Sequence, residues 1–353
     1  MSKVDSSTFD PNGVGVKGTL FGLPYDAESA DIIVIPVPWD VTVSYGAGTA
    51  EGPRAILEAS AQIDYAQTDI ANAWQMKIAM AEIPEVWYAK GKTLRQQAEK
   101  YIDWLEAGSD PKQRLGMQSL CDDINANCAQ LVQYVQQKCA YWRSKGKLTI
   151  LLGGDHSTPL GHLKALAQEH DSFGVLQIDA HADLRKAYEG FTWSHASIMY
   201  NALQLPQVEK LVQVGVRDFC EEELTRIDNE EGRVRTFFDQ ELKAERYQGM
   251  NWQKQCKQII SELPQKVYLS FDIDGLHPKL CPNTGTPVPG GFELDQTMYL
   301  IKELVKSGRT IIGCDLNEVS PGKDEWDANV GARALYRMAL LMAVSQGKFD
   351  FRI

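Results

Sequence analysis

Two short acidic motifs in this chain combine carboxylate and imidazole side chains at a spacing that suits metal binding. The first is D-A-H-A-D at residues 179–183, and the second is D-I-D at residues 272–274. Each motif directly follows an apolar run typical of a buried strand. Side chains alternate between the two faces of an extended segment, so the ligand-type residues of each motif project to one side. They are Asp179, His181, Asp183, Asp272 and Asp274.

A sixth ligand-type side chain, His156, lies in G-G-D-H-S after another apolar run. Carboxylates about 4 Å apart in a low-dielectric pocket repel each other and are driven to protonate, so such a group needs compensation. Carboxylate and imidazole ligands without thiolate suit Mn²⁺, Fe²⁺, Co²⁺ or Ni²⁺, and six of them are enough for a pair of ions. We therefore predict two divalent metal ions per chain.

Each motif taken alone has a simpler structural explanation. A D-x-D after a strand is commonly a cap or a solvated turn, and a single histidine in an apolar strand is commonly a core residue. Here polar stretches recur after several separate strands. The carboxyl ends of parallel strands are where α/β proteins bind ligands, so the recurrence favours the metal site.

Seven apolar runs of strand length alternate with mostly helical segments along the chain. This alternation predicts an α/β protein whose mostly parallel sheet is covered by helices on both faces. The runs lie at residues 31–38, 78–83, 148–152, 173–178, 211–216, 266–271 and 309–314.

Two regions depart from this alternation. Residues 1–30 have weak periodicity and predict an irregular N-terminal arm that could pack on a neighbouring subunit, before a single domain at residues 31–353. Within that domain, residues 90–146 predict a helical insertion, in which a shorter helix and a long helix flank G-S-D-P at 108–111. The apolar stripe of the long helix is interpreted as core packing.

Composition limits the partners. The 353 residues carry a net charge of −11, which disfavours nucleic acid and anionic membranes as partners. No apolar run approaches the roughly 18 residues needed to span a bilayer, and the first residues lack the apolar segment of a signal peptide. The seven cysteines are scattered and never spaced as C-x-x-C, which is typical of neither a disulfide framework nor a zinc knuckle. These features predict a cytoplasmic protein.

Several of these motifs resemble the signatures of the ureohydrolase family, which includes arginase, agmatinase, guanidinobutyrase and formimidoylglutamase. They are G-G-D-H-S (153–157), D-A-H-A-D-L-R (179–185), S-F-D-I-D-G-L (270–276) with the Pro- and Gly-rich 278–291, and the segment 37–56. The resemblance extends from about residue 31 to 345. It implies an agmatinase-like member with a three-layer α/β/α sandwich around a mostly parallel sheet of about eight strands, assembled as a homotrimer or homohexamer.

The resemblance also implies roles for individual side chains. Asp183 would move the proton of the attacking water to the leaving amine, His195 would shuttle protons, and Glu318 would pair with the planar guanidinium. The simpler alternatives are a loop histidine for His195 and a helix-capping or surface acid for Glu318. One metal ion would be held by His156, Asp179, Asp183 and Asp272, and the other by Asp179, His181, Asp272 and Asp274.

The implied reaction is hydrolysis of a guanidino group to urea and an amine. The guanidinium carbon is a poor electrophile because resonance over three nitrogens must be broken. Metal coordination lowers the pKa of water from ~15.7 toward ~7 and so provides a nucleophile at neutral pH. Mn²⁺ is the first expectation and Ni²⁺ the alternative.

The loop after the third acid, residues 184–193, bears on the substrate. It lacks the small polar residues of amino-acid-binding members, and this favours agmatine or a similar small guanidino compound, with free guanidine as the nearest alternative. Tyr188, Phe191 and Trp193 could wall the pocket and attract a cation, or could be ordinary loop packing. Arg185 could hold the carboxylate of 4-guanidinobutyrate or formimidoylglutamate, or could pair with a neighbouring acid.

His277 stands where the family usually has aspartate. It could change the metal preference toward Ni²⁺, contact the substrate or be a neutral replacement. Two other classes of function are alternatives, namely a catalytically silent binding relative and a dinuclear phosphatase. The complete ligand set with His195 and Glu318 disfavours the first, and the absence of a nearby Lys or Arg cluster disfavours the second.

Overall fold

A single sheet of eight strands forms the centre of the protein in the computed structural model, which describes residues 9–352. Every pair of neighbouring strands is parallel. The strands are β1 (Ile32–Val37), β2 (Ile78–Met80), β3 (Leu148–Gly153), β4 (Phe173–Ile178), β5 (Val208–Val214), β6 (Val234–Phe237), β7 (Lys266–Asp272) and β8 (Thr310–Asn317). Their order is β2-β1-β3-β8-β7-β4-β5-β6, so the carboxyl ends of all strands meet at one edge.

Helices cover both faces of this sheet. Alternate residues of β1 point to opposite sides: Ile32 and Val34 pack in one core, whereas Ile33 and Ile35 pack in another. This confirms the predicted three-layer α/β/α sandwich. The α-helices within residues 9–352 are α1 (Gly52–Ala59), α2 (Glu85–Glu106), α3 (Arg114–Ser144), α4 (Leu160–Ala167), α5 (Ile198–Ala202), α6 (Glu221–Asn229), α7 (Asp239–Tyr247), α8 (Trp252–Ser261), α9 (Leu294–Lys306) and α10 (Trp326–Ser345).

The strands differ from the sequence pattern in several places. Strand β2 ends at Met80 instead of residue 83, and β5 is Val208–Val214 instead of 211–216. Strand β6 was not predicted, because it is a four-residue edge strand in which Val234 and Thr236 are buried while Arg235 is exposed. Strand β8 continues to Asn317 instead of ending at residue 314, since its last residues pair with β7 up to Asp272. The polar residues after residue 314 are therefore partly inside the strand.

The predicted helical insertion corresponds to the pair α2 and α3, which begins at Glu85. The apolar stripe of α3 is buried and packs with β1 in one hydrophobic core. Its members are Ile124, Cys128, Leu131, Val135, Cys139 and Trp142.

The N-terminal segment lies partly outside the described residues, because the predicted arm includes residues 1–8. From residue 9 onward it packs on its own chain: Leu20 and Phe21 are buried in the core that contains α10. The ring of Phe21 meets that of Tyr336 edge-on, and the Phe21 N–H donates to Ser60 Oγ at 2.9 Å. No helix in residues 9–352 is both long and apolar enough to cross a membrane.

Two consecutive glycines bring the end of β3 close to its neighbours. A Cβ at Gly153 would lie 1.8 Å from Asn317 Oδ1, and one at Gly154 would lie 1.9 Å from the carbonyl oxygen of Trp39. Only glycine fits at these close approaches. As a result, the residues that follow, including His156, lie directly at the edge where β1, β3 and β8 end.

Candidate metal centre and active site

The two acid motifs meet because β4 and β7 are neighbours in the sheet. Ile178 of β4 pairs with Phe271 of β7, so Asp179 and Asp272 follow on adjacent strands. Neighbouring strands lie about 4.8 Å apart, which places the two carboxylates side by side. Both side chains are buried.

His156 faces three carboxylates at one point. Its Nδ1 lies 3.0 Å from Asp179 Oδ2, 3.0 Å from Asp183 Oδ2 and 3.2 Å from Asp272 Oδ2. The imidazole is 1% exposed, yet Nδ1 makes no hydrogen bond of acceptable geometry. A buried nitrogen without a hydrogen-bond partner, among three carboxylate oxygens, fits a shared cation, since buried charges in proteins are paired or coordinate metals.

A second group of ligand-type atoms adjoins the first. His181 Nδ1 lies 3.0 Å from Asp274 Oδ2 and 3.6 Å from Asp179 Oδ1. Asp179 thus points one oxygen at each imidazole. Two sets of side chains have ligand atoms close enough to hold a metal ion, and they share Asp179. The sets are His156, Asp179 and Asp272, and Asp179, His181 and Asp274.

Hydrogen bonds orient the ring of His156. Its Nε2 lies 2.9 Å from Ser270 Oγ, and the Ser270 hydroxyl donates to Asp315 Oδ1 at 3.1 Å. Because the serine proton is used on Asp315, the serine oxygen accepts the Nε2–H of His156. The lone pair of His156 is then on Nδ1, which faces the three carboxylates, an arrangement that suits a metal ligand.

Backbone N–H groups hold the carboxylates in place. Asp179 Oδ1 accepts from the N–H of His181 at 2.6 Å, Asp272 Oδ1 accepts from the N–H of Asp274 at 2.9 Å, and Asp274 Oδ1 accepts from the N–H of Ala180 at 3.0 Å. Each of these acids therefore has one oxygen fixed by the backbone and one directed at an imidazole. The D-x-H and D-x-D spacings provide these local bonds.

The cluster is electrostatically unbalanced without cations. Burial and the charge of Asp179 raise the pKa of Asp183 to about 7. Burial and the charge of Asp274 raise the pKa of Asp272 well above its usual value. Burial alone would lower the pKa of His156, but the surrounding carboxylates outweigh it and raise that pKa. Bound divalent cations would relieve this repulsion between carboxylates. The carboxylate and imidazole donors of the cluster suit such ions.

Glu318 approaches the cluster from the end of β8. Its Oε1 accepts the N–H of His156 at 2.8 Å. Its Oε2 is close to Gly285, and a Cβ added to this glycine would be 3.4 Å from that oxygen. Burial, followed by the charge of Asp155, raises the pKa of Glu318 well above its usual value. Glu318 and Asp183 both have positive φ, 63° and 55°, a strained conformation for non-glycine residues that is concentrated at functional sites.

A cavity of about 180 Å³ opens beside the second metal-ligand set. Among the residues that line it are several predicted from the sequence: His181, Asp183, Arg185, Tyr188 and His195. Ala196, next to His195 in the chain, also lines the cavity. The other lining residues were not predicted as site residues from the sequence: Ser44, Tyr45, Asp218, Phe219, Glu223 and Thr286. The sequence signal for Asp218 and Glu223 was the polar stretch after β5, which follows the same rule as the metal motifs.

The side chains along one wall of this cavity are packed against each other. The rings of Tyr188 and His195 meet edge-on at 6.0 Å, and the Arg185 guanidinium lies 4.9 Å from the centre of the Tyr188 ring. Arg185 Nε is 3.9 Å from Glu223 Oε2, and Arg185 also lines the cavity. A substrate contact by Arg185 stays a prediction. Burial, followed by the charge of His181, lowers the pKa of His195 to about 3, which keeps its ring neutral.

Three other predicted residues lie away from the cavity lining. Phe191 is completely buried against Tyr101, with ring centres 5.3 Å apart. Trp193 packs beside Lys164, whose Nζ is 5.2 Å from the ring centre. His277 is exposed, and its Nδ1 accepts the N–H of Lys279 at 3.2 Å. A substrate contact by Trp193 or His277 stays a prediction.

Comparison with known proteins identifies the family. The model of the arginase family matches residues 30–341. The chain is 29% identical over 299 residues to N(1)-aminopropylagmatine ureohydrolase from Synechocystis sp., covering 83% of this chain and 82% of that protein. It is 29% identical over 330 residues to guanidinobutyrase from Pseudomonas aeruginosa, covering 90% of this chain and 88% of that protein.

Among solved structures, agmatine ureohydrolase of Thermoplasma volcanium has the same fold, with a TM-score of 0.69, 21% identity and coverage of 97% of this chain and 98% of that one. The family match extends over most of the chain. The protein therefore belongs to the arginase family. This confirms the resemblance to ureohydrolases predicted from the motifs, and with it a hydrolase that acts on guanidino carbon–nitrogen bonds.

Proposed function

We propose that the protein hydrolyses a small guanidino compound, agmatine or a close analogue, to urea and an amine, with two divalent metal ions bound at the strand ends. The observation that carries the proposal is the hydrogen-bond-free Nδ1 of His156 among three carboxylate oxygens, next to a second ligand set that shares Asp179. The six residues proposed as metal ligands are His156, Asp179, His181, Asp183, Asp272 and Asp274.

Bound there, divalent ions supply a water nucleophile that is deprotonated near neutral pH. The chain itself would bind, orient and move protons. The Oε1 of Glu318 is held by the His156 N–H. A bound guanidinium would favour the charged form of this buried carboxyl and would be oriented by it. Asp183, at the boundary of cluster and cavity, takes the proton released during attack and passes it to the leaving nitrogen. His195, half-buried in the cavity lining, would relay other protons between the site and solvent.

The cavity supports a small substrate. Its volume of about 180 Å³ is below the ~300–1,000 Å³ typical of pockets for drug-sized ligands. Arg185 is engaged with Glu223 and Tyr188, so it is less available for the carboxylate of 4-guanidinobutyrate or formimidoylglutamate. Asp218, exposed at the mouth, favours a cationic over an anionic tail. Agmatine fits these features.

A substrate panel tests this proposal. The protein reconstituted with Mn²⁺ or with Ni²⁺ is assayed for urea or formamide with agmatine, 4-guanidinobutyrate, formimidoylglutamate, arginine and free guanidine. We expect the highest kcat/KM for agmatine or an agmatine-like compound. Arginine as the best substrate by a wide margin would overturn the interpretation of the loop at 184–193. Absence of turnover with any compound and either metal would favour a catalytically silent relative.

Free guanidine is the second candidate, because the small cavity has room for the guanidinium with little tail.

We further propose Mn²⁺ as the preferred ion, with Ni²⁺ as the alternative, a cytoplasmic location and a homotrimeric or homohexameric assembly. Metal analysis and light scattering of the purified protein test the ion and the assembly. One structural zinc per chain, or full activity after exhaustive chelation, would contradict the dinuclear site.

A further inference from the structure

The helical insertion contacts two loops that line the cavity. The β1 loop, residues 38–48, contributes Ser44 and Tyr45 to the lining. The β4 loop, residues 184–193, contributes Arg185 and Tyr188. The sheet fixes where each loop leaves its strand, but the distal part of each loop is held by side chains of α2 or α3.

The β4 loop is held by Asn125 of α3 through both ends of its amide. Asn125 Nδ2 donates to the carbonyl of Gly190 at 3.0 Å, and Oδ1 accepts from the Thr192 N–H at 2.9 Å and from Thr192 Oγ1 at 3.1 Å. Between these two residues, Phe191 inserts its ring against Tyr101 of α2. The loop is therefore fixed to α2 and α3 by these three hydrogen bonds, by a fourth from Cys121 Sγ to the carbonyl of Gly190 at 3.4 Å, and by one fully buried ring.

This attachment is transmitted to the cavity by a tight turn. Tyr188 and Phe191 exchange both backbone hydrogen bonds, at 3.1 and 2.8 Å, around Glu189 and Gly190. Glu189 and Gly190 have φ values of 52° and 84°, as in a two-residue hairpin turn. Because Phe191 is anchored, Tyr188 on the other side of the turn is fixed beside His195.

The β1 loop is held from α2 by a second side chain. The Arg95 guanidinium donates through Nη1 to the carbonyl of Val43 and, at 3.4 Å, to that of Val41. Only 13% of the Arg95 side chain is exposed. Ser44 and Tyr45, which line the cavity, follow directly in the chain.

We propose that the α2–α3 insertion determines substrate specificity, with Asn125 and Arg95 as positioning residues that fix the two loops and keep the cavity small. The proposal rests on the proposed hydrolysis of guanidino compounds. Release of either loop widens the cavity, so that small guanidino substrates are held less well and bulkier ones such as arginine are excluded less strongly. The metal ligands, which belong to the strand ends, are unaffected.

The variants to compare are Asn125→Ala, Asn125→Asp and the control Asn127→Ala. Asn127 lies on the same helix and is half-buried like Asn125, but its side chain donates to the carbonyl of Asp123 within that helix. Asn125→Asp keeps the shape of the side chain and the acceptor for Thr192 but loses the donor to Gly190. It keeps the test decisive if Asn125→Ala fails to fold.

Hydrogen exchange of the β4 loop is measured first, by mass spectrometry on the Mn²⁺-loaded protein without substrate. We expect exchange at residues 188–193 to rise about tenfold in Asn125→Ala, less in Asn125→Asp, and not at all in the control. Unchanged hydrogen exchange of the β4 loop in both Asn125 variants would show that Asn125 does not fix this loop. Hydrogen exchange needs no turnover, so this result is distinguishable from failure of the proposed function.

The substrate profile is measured next. We expect Asn125→Ala to raise KM for the best short guanidino substrate by about tenfold with kcat within about twofold, and to narrow its kcat/KM advantage over arginine. Bound metal should match the wild type. A profile indistinguishable from Asn127→Ala, despite faster loop exchange, would show that the insertion stabilises the loop without setting specificity, and would overturn the proposal.

Discussion

Asp179 and Tyr188 are nine residues apart in the sequence, but different parts of the fold hold them in place. Asp179 follows β4 directly, and its oxygens are fixed by the His181 N–H and by Gln177 Nε2 at 2.7 Å, both within four residues of it. Tyr188 has a backbone turn of its own, but that turn is attached through Phe191 to the distant helices α2 and α3.

The candidate site therefore has two layers that are held in place separately. The ligand layer consists of the acids and histidines at the strand ends, and the cavity layer consists of the loop side chains that line the cavity. The ligand layer is set by strand register and short-range hydrogen bonds, so it tolerates change in the loops. The cavity layer is set by long-range contacts with the insertion, so it can vary without disturbing the ligands. This separation is testable, because changes in the two layers should alter different measured quantities.

The largest effect is expected from removal of a shared ligand. Asp179→Ala or Asp272→Ala should reduce turnover at least about 100-fold and lower the bound metal, because each carboxylate lies in a cluster that cannot hold cations without it. The measurements are urea release and metal content. Asp171→Ala, an exposed acid before β4, is the control. Normal metal content in both ligand variants would contradict the two-layer division.

A smaller loss is expected from Glu318→Gln. The amide keeps an oxygen for the His156 N–H but removes the charge that would face the guanidinium. A charged hydrogen bond is worth ~1.5–3 kcal/mol, so kcat/KM should fall at least about tenfold while bound metal stays at the wild-type level. The exposed acid Glu209, changed to Gln, is the control. Unchanged kinetics would mean that the guanidinium is bound elsewhere.

The ligand layer also predicts how the metal-free protein responds to pH. In the folded state the pKa values of Asp183, Asp272, His156 and His181 are raised, so the native protein binds more protons than the unfolded chain. Stability should therefore fall as pH rises from about 5 to 8, by at least about 1 kcal/mol. His195, His162 and His170 have lowered pKa values and act in the opposite direction. The groups with raised pKa values outnumber them, because these also include Asp155, Asp315 and Glu318.

Thermal unfolding across this pH range, with chelator and then with Mn²⁺, measures the effect. The melting temperature of the chelated protein should drop by at least about 1–2 °C toward pH 8, and added Mn²⁺ should reverse most of the drop. A melting temperature that rises steadily from pH 5 to 8 in chelator would refute the electrostatic account of the cluster.

The smallest effect belongs to the cavity layer. Tyr188→Ala removes the ring on which the Arg185 guanidinium lies and which borders His195. A cation–π contact of this kind is worth ~0.5–1 kcal/mol, so KM should change by about twofold to fivefold with bound metal unaltered. Tyr247→Ala, at a position far more exposed, is the control. Metal loss in Tyr188→Ala would show that the layers are coupled.

Local pattern was enough to predict most of the sheet and the ligand groups. Runs such as 173–178 and 266–271 are apolar because both faces of a central parallel strand are buried. Strand β6 could not be predicted, because an edge strand of four residues that alternates between buried and exposed positions has only a weak hydrophobic pattern in the sequence. Asp218 was missed because the acids in the polar stretch after β5 have no histidine among them to mark a ligand motif.

The sequence by itself determined which acids and histidines follow strands and on which face they lie, because side-chain alternation and local backbone bonds depend only on neighbours in the chain. The tertiary structure decided that β4 and β7 are adjacent, which unites Asp179 with Asp272. It also decided that Tyr188 lines the cavity, that Phe191 is buried against Tyr101 and that Trp193 packs beside Lys164. That outcome depends on contacts with Tyr101 and other residues far away in sequence, which no local pattern encodes.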